Sequence, residues 1–359
     1  MKTAVYIDAI TDIAQRHDLI VIEDAAHAIE TEYKGIYTGG CELMLVTIVT
    51  PYYNGEEHIL ETINGVRNQT IEDWEYFIVD DGSQEESHQR LNEIAAGVDE
   101  RVCVLRKENG GQSLARNYGF NAGDKSSKYV LFLDHDDILE PDTLEILIDK
   151  LNSNEQYVAA HGLARFFGGD PLSLGVAKVD DIEAWGRKRF FVENGKMTPL
   201  QTEDPTTFAA LAYETWISTP GQVLFRRSIL EKAGLYNRDF APADDWEMCL
   251  RASQFGPIGY VDAVVLNWRR HESSMTTAFD EWTDINYKVR YSYVKNSQVT
   301  KENRETMKSA YRYVLLQDFK SKIRYGFEAL SAGKITSGLK QFGYGIKPVR
   351  NLAALSLRK

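Results

Sequence analysis

Cysteine is scarce: the 359-residue chain has three, Cys41, Cys103 and Cys249. They are odd in number, far apart and form no CxxC pair. This excludes a disulfide framework and a zinc knuckle and fits a reducing compartment. No apolar run approaches the roughly 20 residues of a membrane-spanning helix. The N-terminus lacks the apolar core and small-residue cleavage site of a secretory signal. The expected location is the cytoplasm. There is no internal repeat and no low-complexity run.

Positive charge is also in short supply, with 41 Lys+Arg against 53 Asp+Glu and a net charge of −12. An acidic surface argues against nucleic acid as a partner, because that affinity comes from cations on phosphates. The deficit is uneven. Residues 281–359 hold 16 Lys+Arg and 6 Asp+Glu, a net +10, whereas the first 280 hold 25 against 47, a net −22. The basic end leaves peripheral contact with an anionic membrane open, at the inner face. With 43% apolar and 26% charged residues, the chain has material for a sizeable core. Its length suits one large α/β domain with additions.

Pattern divides the chain into 1–42, 43–279 and 280–359. The first segment reads as a helix over 6–14 and a short strand, Leu19–Ile22. One helix and one strand bury no core, so this segment docks elsewhere or stays loose. In the second, β-rich runs at Leu43–Val49, Tyr76–Val79, Val102–Leu105 and Tyr129–Leu133 alternate with helical patterns at Glu57–Arg67, Ser87–Ala96 and Ser113–Asn121. That alternation predicts an α/β fold, a mixed and mainly parallel sheet covered on both faces. The third segment is a helical C-terminal extension, clearest at Tyr311–Ile323, with Gly333, Gly338 and Pro348 as stops.

In such sheets the site lies beyond the carboxyl ends of the strands. The four predicted strands are followed by Pro51-Tyr52-Tyr53-Asn54, Asp80-Asp81-Gly82-Ser83, Asn109-Gly110-Gly111 and Asp134-His135-Asp136-Asp137. Carboxylates this close repel unless a cation or solvent offsets them. A Mg²⁺ or Mn²⁺ ion shared with substrate phosphates is the economical explanation; an acidic turn with Asp142 capping the next helix is the plainer one. Asp80-Asp81-Gly82 suits either a base- or ribose-binding acid or a tight turn. The run Asn109–Asn117 matches neither a Walker A loop nor GxGxxG. It offers glycines for close approach and Arg116 for a diphosphate, or simply a helix cap with a surface arginine. Asp244 and Asp245 open another helix, as a general base or as favourable charges at its dipole. His271 follows the apolar strand Val261–Leu266 as a metal or phosphate contact, or as an ordinary surface histidine.

Taken in order, these motifs resemble glycosyltransferase family 2 over residues 44–275, about two thirds of the chain. The run includes Val46–Asn54, Ile78–Ser83, Asn109–Asn117, Phe132–Asp137, Thr219–Arg227, Ala243–Trp246 and Arg270-His271-Glu-Ser-Ser. The resemblance implies a GT-A fold and an inverting transferase that uses a nucleotide-sugar donor, a UDP-sugar first, with a divalent cation (Mg or Mn). A saccharide or lipid-linked acceptor in polysaccharide or glycoconjugate biosynthesis would complete the reaction. By the same resemblance Pro51, Tyr53, Asn54 and Asp81 would line the nucleotide, with Arg116 nearby and Asp134 at the ribose. Asp136 and Asp134 would hold the cation, with His271 as a further ligand and Asp137 in support. Asp245 would be the catalytic base beside Asp244, which stands where many relatives have Glu. His135 replaces a commoner small residue and would add a metal or phosphate contact.

Residues 1–42 resemble a fragment of pyridoxal-phosphate-dependent sugar-nucleotide aminotransferases, through Ile7–Ile10, Leu19–His27 and Tyr33–Gly35, with Asp24 as the cofactor-pairing acid. The region of the Schiff-base lysine is missing, so a working aminotransferase site is not expected. Met44 reads as the natural start of the transferase. Two rivals stand beside it. A sugar nucleotidyltransferase would want a basic, glycine-rich loop after the first strand, and a non-catalytic sugar- or nucleotide-sugar-binding relative would have no need of Asp134, Asp136 and Asp245. Acceptor choice is expected within 165–220, through Trp185, Arg187, Arg189 and Trp216; an ordinary loop with core aromatics is the alternative.

Overall fold

The computed structural model describes residues 31–33, 36–38, 45–168, 186–193, 196–270 and 279–331, with 335 and 351. The predicted helix over 6–14, the strand Leu19–Ile22 and the stops at Gly333, Gly338 and Pro348 lie outside the described residues. Upstream of the main body is a hairpin of β1 (Thr31–Tyr33) and β2 (Ile36–Thr38).

The first main strand, β3 (Val46–Tyr52), is buried along its whole length. Val46, Ile48 and Tyr52 enter one core with Ile63, Trp74 and Leu147, while Val49 enters the other with Val79, Phe132 and Trp246. A strand covered on both faces has no polar side to show, which explains its continuous apolar sequence. β4 (Trp74–Asp80) and β6 (Tyr129–Phe132) flank β3 in parallel, and β5 (Val102–Arg106) continues parallel beyond β4.

Four more strands complete the sheet: β7 (Ile138–Leu139), β8 (Ala159–Phe167), β11 (Val223–Arg226) and β12 (Ile258–Arg269). Its order is β5-β4-β3-β6-β11-β8-β12-β7. β12 runs parallel to β8, β11 is antiparallel to both its neighbours, and β7 is antiparallel to β12. The predicted mixed, mainly parallel sheet is therefore present. β9 (Phe190–Glu193) and β10 (Lys196–Pro199) form a separate hairpin.

The C-terminal helices Phe279–Lys295 and Lys301–Ser331 pack into the main body. Val289, Tyr293, Met307 and Ala310 share a core with Phe208 and Trp246. Much of the extension's apolar surface therefore faces inward. Leu316, Tyr325 and Phe327 stay exposed. Among the described residues no helix is long and apolar enough to cross a membrane.

Candidate active site

The parallel register brings Tyr52 opposite Asp80 and Asp80 opposite Arg106, so the turns after β3, β4 and β5 meet at one edge. Asp81 donates its backbone N–H to the Tyr52 carbonyl at 2.9 Å. Its carboxylate is turned onto the next loop. It accepts from the backbone N–H of Gly110 at 3.1 Å and of Gly111 at 2.7 Å, and pairs with the Lys107 ammonium. Gly82 makes the approach: its φ is +77°, and a Cβ there would lie 2.7 Å from Asn109 N. Pro51 is buried within β3, and Tyr53 is 52% exposed at the rim. Asn54, with a left-handed φ of +46°, ties the turn by accepting from Gln84 N at 3.0 Å.

Arg116 lies at the centre. It projects from helix Gln112–Ala122, is 1% exposed, and donates from Nη2 to Asp134 Oδ1 at 2.6 Å. Its Nη1 is 3.4 Å from Asp244 Oδ2, and its guanidinium stacks 4.9 Å over the Tyr236 ring. Burial alone would lower its pKa, but Asp134 and Asp244 hold it above the ordinary arginine value. Asp244 is fully buried and also accepts from Ser113 Oγ at 2.6 Å and Gln112 Nε2 at 3.2 Å. It locks the start of helix Asp244–Ala252 to the start of Gln112–Ala122. Its neighbour Asp245 is partly exposed and accepts from Trp246 N at 2.6 Å. Desolvation pushes the Asp245 carboxyl up to about 7, with the Asp244 and Asp134 charges adding and Arg116 opposing.

The acidic run after β6 divides its labour. Asp137 is fully buried, accepting from Arg269 N at 3.0 Å and Thr219 Oγ1 at 3.2 Å. Desolvation and then Asp136 and Asp134 raise its pKa well above the carboxylate range. Asp136 is half-buried, and its carbonyl accepts from Arg269 Nε at 2.9 Å. The His135 ring lies against Gly55, where a Cβ would collide with it, and edge-on to Tyr52 at 5.9 Å.

The donor set bears on a cation. Among the described residues no group of three His, Cys, Asp or Glu is arranged to hold a metal alone. Asp134 and Asp136 are oxygen donors at a half-buried edge. They fit a hard ion bound through one or two carboxylates, with substrate phosphates and water completing its shell. His271 lies outside the described residues, as do Asp24 and Trp185.

The structure thus brings Arg116, Asp134, Asp244 and Asp245 into one cluster beside Asp136, and places Pro51, Tyr53, Asn54 and Asp81 on the adjoining turns. Sequence reasoning missed Tyr236 and the clasp of Arg269, which also reaches Glu61 at 2.9 Å, and gave Thr219 no role beyond its place in a matching run. Arg269 was visible as a cation ending a strand; Tyr236 had no local signal. Two residues expected to face an acceptor are interior. Arg189 is 1% exposed, donating to Thr206 Oγ1 at 3.0 Å, and Trp216 is 3% exposed against Phe190. Arg187 remains at the surface, paired with Asp262 at 2.7 Å.

Comparison with known proteins bears on the family and the fold. Residues 47–234 match the family described as glycosyl transferase family 2, and residues 3–48 match the DegT/DnrJ/EryC1/StrS aminotransferase family. A protein of Rickettsia conorii named as an uncharacterized glycosyltransferase is 23% identical over 63% of this chain and 34% of its own length. The chain thus spans about a third of the first curated relatives it matches. The succinoglycan biosynthesis protein ExoW of Rhizobium meliloti is 35% identical over 38% of this chain and 43% of its own. Among solved structures, S. aureus TarS 1–349 in complex with UDP-GlcNAc superposes with a TM-score of 0.51 at 15% identity, covering 84% of this chain and 91% of that one. The mannosyltransferase PcManGT of Pyrobaculum calidifontis, in complex with GDP-Man and Mn²⁺, gives 0.53 at 16% identity, covering 88% and 81%. These likenesses support the GT-A-type fold, and the match over 47–234 decides the family: the chain belongs to glycosyl transferase family 2.

Proposed function

We propose that this protein is an inverting transferase moving a sugar from a nucleotide-diphosphate donor to a hydroxyl of a saccharide or lipid-linked acceptor, in polysaccharide or glycoconjugate biosynthesis. The observation that carries the reading is the cluster in which buried Arg116 spans Asp134 and Asp244 while Asp245 stands next to them with a carboxyl pushed up to about 7. A base tuned near neutrality takes a proton from an alcohol far better than an ordinary carboxylate does. Asp245 receives the acceptor proton as the oxygen attacks the anomeric carbon opposite the departing diphosphate, and one such displacement inverts that centre. Asp244 is a positioning residue, since both its oxygens are engaged. Asp136, with Asp134, would hold a divalent cation, which as a Lewis acid offsets charge on the leaving diphosphate. Tyr53, Asn54 and the Asp81 loop line the nucleotide side. The printed ligands of the structural neighbours, UDP-GlcNAc and GDP-Man with Mn²⁺, name the first donors to try.

The test is nucleotide-diphosphate release by purified protein across UDP- and GDP-sugars with Mn²⁺ or Mg²⁺ and acceptor extracts. Asp245→Asn should abolish transfer and leave donor binding nearly intact, whereas Asp136→Ala should weaken metal-dependent donor binding. The reverse pattern refutes the assignment. Donor binding without any release favours the non-catalytic relative.

A further inference from the structure

At the end of the sheet opposite the candidate active site, a cleft of about 290 Å³ is lined by Lys125, Ser127, Lys128, Arg226, Arg227, Ser228 and Glu231. Lys128 precedes β6, Asp134 follows it, and Arg226 lies opposite Tyr129 at the amino end of that strand. At about 3.3 Å per residue the cleft is roughly 20 Å from the catalytic edge. Four cations face one carboxylate. Arg226 donates to Tyr157 O at 2.7 Å and Leu151 O at 2.6 Å and lies 5.9 Å over the Tyr129 ring, and Lys125 donates to Asn121 O at 2.6 Å.

Arg227 is the informative member. It is 2% exposed, and two of its nitrogens are satisfied by hydroxyls: Nε donates to Ser127 Oγ at 2.7 Å and Nη2 to Thr47 Oγ1 at 2.9 Å. Its Nη1 is buried with no hydrogen-bond partner. Among the described residues no carboxylate lies within ion-pair distance of it; Glu231, Glu75 and Asp124 act on it from farther off, and Thr47 links it to Glu75. A buried guanidinium nitrogen left without an acceptor is expensive and calls for one. A planar guanidinium flanked by two flexible ammonium groups is the arrangement that oxyanions of phosphorus select.

We propose that this cleft is a second ligand site, separate from the transferase centre, that binds a phosphate-bearing anion, either a soluble phosphate ester or the headgroup of an anionic phospholipid. The phosphate oxygens accept from Arg227 Nη1, Lys125 and Lys128, while Ser228 and Glu231 border the mouth.

Calorimetric titration of the full chain with inorganic phosphate, in EDTA and against chloride at equal ionic strength, tests the soluble source. Cosedimentation with phosphatidylglycerol vesicles, against phosphatidylcholine vesicles, tests the headgroup. The surface double variant Lys125→Ala/Lys128→Ala is expected to weaken whichever probe binds by at least tenfold. Arg227→Lys, which keeps the charge and loses the fork, is expected to weaken it as well. Equal binding by wild type and double variant to both probes, or binding by neither, overturns the proposal. Neither readout depends on sugar transfer, so the outcome is independent of the catalytic reading.

Discussion

Arg116 donates to Asp134 at 2.6 Å from a position only 1% exposed, and its second terminal nitrogen is directed at Asp244, 3.4 Å away. One guanidinium therefore ties the carboxyl end of β6 to the start of the helix that carries Asp245. Removing a partner from a buried ion pair costs about 3–5 kcal/mol, because the remaining charges lose their compensation. Arg116→Met should accordingly lower thermal stability. Arg116 also opposes the upward shift of Asp245. Its loss should move the acid limb of the kcat/KM profile to higher pH, by about one unit or more. An acid limb that stays in place in a folded variant would remove Arg116 from the electrostatics of the base.

The Asp245 carboxyl, pushed up to about 7, fixes two signs. As a base it works ionised, so kcat/KM should rise with pH through about 7 and then level off. For stability, the folded pKa exceeds the ordinary aspartate value of about 3.9. The folded state therefore holds its proton more tightly than the unfolded chain does, and stability falls as pH climbs from about 4 to about 7. Asp245→Asn should be inactive yet more stable than wild type at pH 8, by up to a few kcal/mol. That advantage should shrink toward nothing near pH 4. Parallel melting curves for the two proteins across this range would contradict the shift.

How far this site could be read beforehand depended on the kind of interaction. The turns after β3, β4, β5 and β6 were legible because parallel strands buried on both faces announce themselves as apolar runs, and their polar ends follow directly. Antiparallel β11, only four residues long, and the two-residue β7 carry no such signal. Arg116, Asp134, Asp244 and Asp245 were recognisable from motifs, and the resemblance implied roles for them, but the contacts that hold them were not legible. Whether Asp244 or Asp245 is engaged depends on contacts to Ser113 and Gln112, more than a hundred residues away in the chain. Arg189 and Trp216 misled for a related reason. Arg189 donates to interior oxygens of Asp204, Thr206 and Gln201, and Trp216 packs its ring edge-on to Phe190; composition cannot distinguish that from a binding surface.

His135 sits in the acidic run with its ring against Gly55 and edge-on to Tyr52. A methyl group at residue 55 has no room while that ring is present. Gly55→Ala should therefore displace the turn carrying Tyr53 and Asn54 and raise the KM for donor several-fold. Adding His135→Ala removes the obstacle and should restore much of the loss, a coupling readable in a double-mutant cycle. If His135 instead served a metal or phosphate, the second substitution would deepen the defect.

The two ends of the chain should behave oppositely. Arg290, on helix Phe279–Lys295, is 2% exposed and donates to the carbonyls of Ala212 at 3.0 Å and Tyr213 at 3.3 Å. Its guanidinium stacks 4.5 Å over Trp246, whose indole donates to Leu211 O at 3.0 Å. Burial lowers its pKa to about 10, so it stays charged at neutral pH. Arg290 thus caps one helix and braces the residue next to Asp245, and the basic extension supports the helix carrying Asp245 from behind. A chain ending at residue 278 should lose transfer and most of its thermal stability. Arg290→Met should lower kcat more than it raises KM. A chain beginning at Met44 removes only residues before β3 and should keep full activity. Full activity in the chain ending at residue 278 would show that the extension has no part in holding the catalytic helix, and a large loss in the chain beginning at Met44 would show that the upstream segment belongs to the enzyme.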